Sequence, residues 1–403
     1  MDPSQASAPL NGARLIAVPA AGQAAVAMID DVWGAGDAAL PLDPTLSDAV
    51  AERIAAGLGA HAVCHADGER DLDDGVEVPH GTALVIRTSG TAGAARGVVI
   101  SHTALDAGVA ASVDRLDAGA ARWLGVLPVH HIAGLLVVLR ARAAGTPPVL
   151  HDRFDAATVA GATAATHLAL VPTMLHRLLD RGVDVGRFEG ILLGGAAPPP
   201  DLLARATAAG ARVTVSYGMT ETCGGCVYDG VPLDGVAVAI DPDGRVLLRG
   251  TVLADGYRVG ARLVPLRDAG GWFRSNDVGR FDDGRLVVTG RSDDIVVSGG
   301  VNVATTEVAA VLRTHPRVAD AAVIGVADAE WGLRVVAYVV ATDATAPPAP
   351  EDLRAHVRAT APAAMVPRQV EVVASLPRTA LGKVDRGALR RLGGDAAAAA
   401  APD

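Results

Sequence analysis

The chain contains 403 residues, of which 50% are hydrophobic and 20% are charged, so it has the size of about two to three domains and the composition of a globular protein. Its 35 basic residues against 45 acidic ones give a formal net charge of −10, and aromatic residues make up only 3%, which excludes the charge and the stacking platforms of a typical nucleic-acid binder. The sequence shows no apolar run of membrane-spanning length, no leader pattern and only three cysteines, which predicts a cytoplasmic protein without membrane insertion.

The first 230 residues alternate apolar segments with segments of helical periodicity. LIAVPA and AAVAMID predict short strands or buried turns, and residues 47–58 predict an amphipathic helix. GTALVIRTSG (81–90) predicts a strand that enters a glycine-rich loop, and a helix near 103–118, a strand at 123–128 and a helix near 132–144 follow. Strand and helix patterns alternate from there to VTVSYGMTE. This alternation predicts the α/β class, with mainly parallel β-sheets covered by helices.

The pattern changes near residue 236. VAVAIDPDGRVLLRG and GRFDDGRLVVTGR each contain an Asp-Gly turn between two apolar stretches, so they predict a small antiparallel β subdomain over about 230–290. Helix and strand patterns mix after that, which predicts an α+β domain. We therefore expect a large N-terminal domain at 1–292, a small C-terminal domain at 293–392 and a disordered tail at 393–403.

The segment TSGTAGAARG (88–97) directly follows the strand pattern ALVIR. Its glycines leave backbone N–H groups accessible, its hydroxyls can join them around an anion, and an arginine at its end suits phosphate. The alternative is an ordinary polar turn, and the segment is not the P-loop of kinases and ATPases. We predict a phosphate-binding loop, and its candidate residues are Thr88, Ser89, Gly90, Thr91, Gly93, Arg96 and Gly97.

Three later segments carry further candidates. Glu221 in SYGMTET follows a predicted strand, where open α/β sheets bind ligands, so it is either a Mg²⁺ ligand or a residue of a surface turn. Asp277 can bind ribose hydroxyls, and it lies upstream of Arg291 and of paired glycines at 299–300. Lys383 is the single lysine of the chain, which suggests a site where a compact ammonium group is needed.

In this order the segments resemble the adenylate-forming superfamily of acyl-CoA synthetases, nonribosomal adenylation domains and luciferases. The resemblance covers roughly residues 81–391. The superfamily's phosphate loop is approximately TSGTTGxPKG, and this chain departs from it at Ala92, Ala95 and Arg96. The motifs YGxTE, GRxDDxI…G and PxTxxGKxxR are complete, and the motif RTGD keeps its aspartate as Asp277.

The resemblance implies a fold, a reaction and a set of site residues. A carboxylic acid would react with ATP to an acyl-adenylate, and coenzyme A would then displace AMP, with Mg²⁺ as cofactor. A mobile C-terminal domain would rotate about Asp293 between the two steps. The implied catalytic residues are Lys383, Glu221, Thr91 and His131, of which Glu221 and Thr91 would hold Mg²⁺. Besides the phosphate loop, the implied ATP-binding residues are Gly195, Ala196, Tyr217, Thr220, Asp277 and Arg291. The implied CoA-binding residues are Ser298, Gly299 and Gly300.

LPVHHIAGLLVVLR (127–140) resembles the corresponding stretch of o-succinylbenzoate–CoA ligases of menaquinone biosynthesis. His131 and Arg140 are nine residues apart, about two and a half helical turns, so both can face one cavity. There Arg140 would pair with the second carboxylate of a dicarboxylic aromatic acid, and Gly194 and Gly218 would complete the acyl site. The alternative is that His131 packs structurally and Arg140 is a solvated helix residue.

The sequence thus favours an acid–CoA ligase that takes o-succinylbenzoate. Its predicted partners are small molecules, and the sequence does not decide whether two copies of the chain form a homodimer. Another aryl- or acyl-CoA ligase is the alternative within the class. A nucleotide-binding protein without catalysis is the alternative outside it, since the phosphate loop departs from its pattern at three positions. Cys223 and Cys226 form a lone CxxC motif, which we interpret as a pocket wall rather than a redox or zinc site.

Overall fold

The computed structural model describes residues 12–65, 68–88, 96–292, 295–298, 301–328, 332–361, 365–379 and 384–399. The chain divides into two compact units, the first comprising Met1–Val238 and Leu248–Phe273 and the second Ala239–Leu247 and Arg274–Asp403. Neither unit ends at residue 292, where we expect a domain boundary. That boundary and the hinge at Asp293 stay predictions, because Asp293 lies outside the described residues.

Helices and strands alternate along about the first half of the described residues, and strands dominate after that. The helices are α1 (Gly22–Gly34), α2 (Asp48–Gly57), α3 (His102–Arg115), α4 (Ile132–Ala143), α5 (Ala156–Gly161), α6 (Pro172–Asp180), α7 (Pro200–Ala208), α8 (Thr305–Arg313), α9 (Pro350–Thr360) and α10 (Arg386–Ala399). The strands are β1 (Gly12–Ala13), β2 (Leu15–Val18), β3 (Ala38–Pro41), β4 (Ala62–His65), β5 (Gly68–Asp71), β6 (Val78–Pro79), β7 (Thr82–Thr88), β8 (Arg96–Ser101), β9 (Trp123–Gly125), β10 (Val149–Leu150), β11 (His167–Leu170), β12 (Gly190–Leu193), β13 (Val213–Met219), β14 (Gly224–Tyr228), β15 (Val231–Pro232), β16 (Ala237–Ile240), β17 (Arg245–Arg249), β18 (Gly256–Val259), β19 (Arg262–Pro265), β20 (Phe273–Asp282), β21 (Arg285–Arg291), β22 (Ile295–Ser298), β23 (Val301–Ala304), β24 (Val318–Asp328), β25 (Gly332–Ala341) and β26 (Gln369–Val372).

Two mixed sheets form the framework of the first unit. One has the strand order β19-β18-β8-β7-β3-β2-β4-β5, in which β7, β3, β2 and β4 run parallel. The other has the order β10-β9-β11-β12-β13-β14-β15, in which β10 to β13 run parallel. Antiparallel strands extend both sheets at their edges. The predicted α/β class is confirmed. The parallel strands lie at the centre of the first sheet and form one side of the second, where β10 is an edge strand.

Burial explains why these segments form strands and helices. β11 is buried along its whole length, as expected of a parallel strand that helices cover on both faces. α6 begins with Pro172 and turns Leu175 and Leu178 into the core that also contains Leu168 and Leu170 of β11. Proline at the first helical position loses no hydrogen bond, and the leucine spacing places both side chains on one helix face.

Two local predictions were wrong. AAVAMID lies inside α1, because Ala25, Val26, Ile29 and Val32 are buried at the spacing of a helix face rather than that of a strand. We also predicted no separate strand between the phosphate loop and α3. In the structure β8 occupies this position and pairs antiparallel with β7. The loop therefore connects two antiparallel neighbours, with Thr88 opposite Arg96.

The second unit contains the predicted hairpin of the β subdomain. β20 and β21 pair antiparallel, with Asp282 opposite Arg285. The two residues between them, Asp283 and Gly284, have φ of 47° and 74°, the left-handed geometry of a tight hairpin turn that Asp-Gly favours. β17 and β16 continue this sheet, and a five-stranded sheet of β22 to β26 follows with α8 and α9.

The C-terminal helix corrects one prediction about the tail. α10 continues to Ala399, so residues 393–399 are helical in the structure. Alanine has the highest intrinsic helix propensity, which favours continuation of the helix through this alanine-rich segment. Residues 400–403 lie outside the described part of the chain. None of the helices in the described part combines the length and the apolar character needed to cross a membrane.

Candidate active site

Several predicted site residues lie where two neighbouring strands of the first unit end. β12 and β13 run parallel, with Leu193 opposite Val215, so their carboxyl ends share one edge of the sheet, the usual ligand-binding edge of such folds. A 3-10 turn, Thr220–Thr222, follows β13 directly. The predicted residues at this edge are Gly194, Gly195, Ala196, Tyr217, Gly218, Thr220 and Glu221.

The glycine of the YGxTE motif has a structural reason. At Gly218 the pairing between β13 and β14 shifts register, and a Cβ on Gly218 would collide with the carbonyl oxygen of Gly224. Gly195 has a φ of +84°, which is strained for any residue with a side chain. Both glycines therefore allow the backbone to follow this edge closely, whether or not they also contact a ligand.

Three polar side chains of the first unit form one contact chain. The guanidinium carbon of Arg96 lies 3.1 Å from the centre of the Tyr257 ring. The hydroxyl of Tyr257 donates a hydrogen bond of 2.9 Å to Oε1 of Glu221. Burial and the Glu221 carboxylate raise the pKa of Tyr257 well above its usual range, so the phenol keeps its proton. Tyr257 thus links Arg96, a predicted phosphate ligand, to Glu221, the predicted metal ligand.

The donor set at Glu221 fits a magnesium ion. Mg²⁺ binds through one or two carboxylates together with phosphate oxygens and water, not through a cage of protein ligands. Glu221 supplies one such carboxylate, and its Oε1 atom accepts a hydrogen bond from the Tyr257 hydroxyl. Among the described residues no group of three or more His, Cys, Asp or Glu side chains is placed to hold a metal ion.

The acyl-site candidate Arg140 is buried. It lies on α4, with 3% of its surface exposed. Its Nε donates to the Ser112 hydroxyl at 2.7 Å and its Nη2 to the Tyr228 hydroxyl at 3.4 Å, and the two hydroxyls share a hydrogen bond of 2.7 Å. The Trp123 ring lies 5.5 Å away. The alternative of a solvated surface arginine is wrong.

Within the described residues no carboxylate forms an ion pair with Arg140; its hydrogen-bond partners there are two neutral hydroxyls. A buried cation without an anion is costly, because the protein interior solvates charge far less well than water does. An anionic ligand would supply the missing counter-charge, and the hydroxyls fix the direction in which the guanidinium points.

His131 lies at the other end of α4, at the residue that precedes its first turn. Its ring is 4.3 Å from that of His130, whose pKa is lowered by burial. The nine residues from His131 to Arg140 span about 13.5 Å along the helix axis at 1.5 Å per residue. The structure therefore does not bring the two side chains into direct contact, and a ligand shared by His131 and Arg140 stays a prediction.

In the second unit the structure brings together the two predicted ribose ligands. Asp277 on β20 lies directly opposite Arg291 on β21. The backbone N–H of Asp277 donates to the buried Ser275 hydroxyl at 3.1 Å, which fixes the strand at this point. The sequence placed these residues fourteen positions apart, and the hairpin turn makes them neighbours.

Other predicted residues fall at or beyond the limits of the described chain. Thr88 ends β7, and Gly97 lies on β8, where a Cβ would collide with Val85. Ser298 is the last residue of β22, and only its backbone is described. The predicted residues outside the described part are Ser89, Gly90, Thr91, Gly93, Asp293, Gly299, Gly300 and Lys383.

Sequence reasoning missed Tyr257, Tyr228 and Ser112. One signal was available, because the chain contains only four tyrosines. Tyr217, Tyr228 and Tyr257 lie on β13, β14 and β18, the strands near Glu221 and Arg140. Ser112 carried no signal, because a serine inside a helix is common. Cys223 and Cys226 are buried and neither forms a disulfide, and burial raises the pKa of Cys223, which agrees with a wall position rather than a redox role.

Comparison with known proteins identifies the family. The AMP-binding enzyme family matches residues 36–257, and the AMP-binding enzyme C-terminal domain matches residues 307–383. The chain belongs to the AMP-binding enzyme family. The second match lies within residues 81–391, the region over which the motifs resemble adenylate-forming enzymes. The first match overlaps that region and begins earlier, at residue 36.

Two curated relatives are named as 2-succinylbenzoate–CoA ligases. A protein of Mycobacterium tuberculosis named "Probable 2-succinylbenzoate--CoA ligase" is 40% identical over 95% of this chain and 99% of its own length. A protein of Bacillus licheniformis named "2-succinylbenzoate--CoA ligase" is 34% identical over 75% of this chain and 69% of its own length.

Solved structures show the same fold. The o-succinylbenzoate CoA synthetase of Bacillus subtilis, in complex with its acyl-adenylate intermediate, is 27% identical with a TM-score of 0.82, and the match covers 94% of this chain and 88% of that one. ATP-bound MatB of Rhodopseudomonas palustris has a TM-score of 0.84 at 23% identity, covering 96% and 90% of the two chains. At that identity the likeness shows the fold alone.

Proposed function

We propose that this member of the AMP-binding enzyme family is an ATP-dependent acid–CoA ligase that converts o-succinylbenzoate to o-succinylbenzoyl-CoA, a step of menaquinone biosynthesis in the cytoplasm. The observation that carries the proposal is the Arg140 guanidinium, which is 3% exposed and bonded to two neutral hydroxyls. A substrate with two carboxylates supplies one to the reaction and one to this cation. The names of the relatives point to the same acid.

In the first step an oxygen of the substrate carboxylate bonds to the α-phosphorus of ATP, and pyrophosphate leaves with the electron pair of the broken P–O bond. Arg96, with the loop from Thr88, would hold the β- and γ-phosphates, and Glu221 with Thr91 would hold Mg²⁺, which neutralises phosphate charge when bound. Tyr217, Gly195 and Ala196 would contact the adenine. Asp277 and Arg291 would bind the ribose, and Lys383 would bridge the carboxylate and the α-phosphate.

In the second step the sulfur of CoA bonds to the acyl carbon, and AMP leaves with the electron pair of the C–O bond. Segment 298–300, with Ser298, Gly299 and Gly300, would line the path of the pantetheine arm, since glycines admit a thin chain close to the backbone. The predicted domain of residues 293–392 would turn about Asp293 between the steps, as hinge motion allows one domain to complete two sites in turn.

The direct test supplies the purified protein with MgATP, CoA and one of three acids: o-succinylbenzoate, benzoate or a medium-chain fatty acid. We expect mass spectrometry to detect AMP and a thioester with o-succinylbenzoate alone. A thioester from another acid only would retain the CoA ligase and refute the substrate. ATP binding without a thioester from any acid would favour the nucleotide-binding protein without catalysis.

A further inference from the structure

The side chains of Tyr257 on β18 and Arg96 on β8 lie on the same face of their sheet. β18 pairs antiparallel with β8, with Tyr257 opposite Val98 and Val259 opposite Arg96. Arg96 is therefore the diagonal neighbour of Tyr257 on the same face of the sheet, a distance that long side chains span. The guanidinium lies over the ring at 3.1 Å, where the negative face of the ring attracts a cation.

Glu221 is attached to the same segment at two points. The backbone N–H of Ala254 donates to the carbonyl oxygen of Glu221 at 2.9 Å, and the Tyr257 hydroxyl donates to the Glu221 carboxylate at 2.9 Å. One bond fixes the position of the backbone and the other fixes the orientation of the side chain. A hydrogen bond to a charged acceptor is stronger than one between neutral groups.

The phenol also keeps two opposite charges apart. Among the residues described here, no ion pair joins Arg96 to Glu221. The face of the Tyr257 ring contacts the cation, and the hydroxyl, which also interacts with Arg96, donates to the carboxylate. In a direct Arg–Glu ion pair the two charges would neutralise each other. Separated by the ring, the cation remains available to a phosphate and the carboxylate to a metal ion.

Arg96 stands where the superfamily's loop pattern has a lysine, and the stack gives this departure a physical reason. A guanidinium is planar and weakly hydrated, so it stacks on an aromatic face, whereas an ammonium group is a compact, strongly hydrated point charge. The Arg96–Tyr257 contact therefore orients the cation in a way that a lysine would not.

From these contacts we infer that Tyr257 is a positioning residue for the metal and phosphate part of the site: its hydroxyl orients Glu221 towards Mg²⁺, and its ring carries Arg96 towards the phosphates of ATP. The inference rests on the proposed function, because it assigns a role within the ATP-binding site. It concerns ATP and Mg²⁺ alone and does not depend on which acid the enzyme activates.

The test measures ATP affinity by titration calorimetry on the full chain, once with excess Mg²⁺ and once with EDTA, without an acid substrate. The ratio of the two affinities is the gain due to the metal ion. In Tyr257→Phe the ring remains under Arg96 and only the hydroxyl is lost. We expect the metal-dependent gain to fall about tenfold, while the metal-free affinity, which depends on the retained ring stack, changes much less.

Arg96→Lys should show the complementary result, because it removes the stack and leaves the hydroxyl on Glu221. We expect a several-fold loss of metal-free ATP affinity and an unchanged metal-dependent gain. Tyr338→Phe is the matched control, since the Tyr338 hydroxyl donates to the Leu389 carbonyl oxygen at 3.4 Å, away from Glu221 and Arg96 in the sequence and in the second unit. It should behave as wild type in both titrations.

The outcomes separate the inference from the proposed function. A wild-type protein that binds no ATP in either buffer would refute the proposed function and the inference with it. If the wild type binds MgATP and Tyr257→Phe keeps the full metal-dependent gain, the positioning role is refuted and the proposed function stands. A general loss of affinity in Tyr257→Phe, equal with and without Mg²⁺, would show a merely structural role and also overturn the inference.

Discussion

Substitution of Arg140 by methionine tests the substrate assignment most directly. The change removes the charge and the two hydrogen bonds to Ser112 and Tyr228 but keeps a long side chain in a buried position. The two hydroxyls still bond each other at 2.7 Å, so neither is left without a partner. Replacement of a buried charge by an apolar side chain of similar size is often neutral or stabilising, so we expect the melting temperature to change little.

The effect on catalysis should be large and confined to one class of acid. A hydrogen bond to a charged group contributes about 1.5–3 kcal/mol, and the guanidinium can make two to one carboxylate. A loss of about 3 kcal/mol corresponds to a roughly 100-fold decrease in kcat/KM, at about 1.4 kcal/mol for each factor of ten. An acid without the second carboxylate never makes this contact and should lose almost nothing.

The assay compares kcat/KM for o-succinylbenzoate and for 4-oxo-4-phenylbutanoate, which lacks the ring carboxylate. Wild-type enzyme should prefer the diacid by roughly 100-fold, and Arg140→Met should abolish the preference. Arg142→Met is the matched control, because Arg142 lies on the same helix but is exposed and pairs with Asp30 at 2.5 Å; it should keep the preference. An Arg140→Met enzyme that still prefers the diacid, or that loses both acids equally, would refute the reasoning.

Three further predictions address other parts of the site and the fold. Lys383→Ala should abolish pyrophosphate release but spare thioester formation from supplied acyl-adenylate; equal loss in both half-reactions would contradict the proposed division of labour. Gly218→Ala should lower the melting temperature strongly, since its Cβ would collide with the Gly224 carbonyl, whereas Gly119→Ala, with nothing within 4 Å, should not; a similar effect of both would argue against the close approach. Because burial raises the pKa of Cys223, its thiol stays protonated at pH 8 and should react with a thiol reagent only after unfolding; peptide mapping that finds Cys223 itself labelled in the native protein at that pH would show that it is accessible as thiolate.

The sequence predictions were correct where a structure depends on neighbouring residues and wrong where it depends on contacts between distant segments. The Asp283-Gly284 turn was predicted correctly because left-handed φ angles are a property of these two residues. AAVAMID was misassigned because a short apolar run fits a strand and a buried helix equally well, and only the packing of α1 decides between them. β8 was missed for a related reason: RGVVIS is short, and its strand identity depends on pairing with β7.

The candidate site shows the same division. Motif spacing identified Glu221, Asp277 and Arg140 as candidates, since residue type and order along the chain are properties of the sequence. The sequence held no information on which groups surround them: Tyr257 reaches Glu221 from a strand 36 residues away, and Tyr228 reaches Arg140 across 88 residues.

The sequence by itself determined the family, the parallel strand–helix framework and the identity of the reactive groups, because these follow from local periodicity and from short motifs. The tertiary structure alone decided that Arg140 is buried between neutral hydroxyls, that Tyr257 separates Arg96 from Glu221, and that Gly218 cannot carry a side chain. Burial, separation of charges and steric contact are relations between distant segments, and only the packed chain brings those segments together.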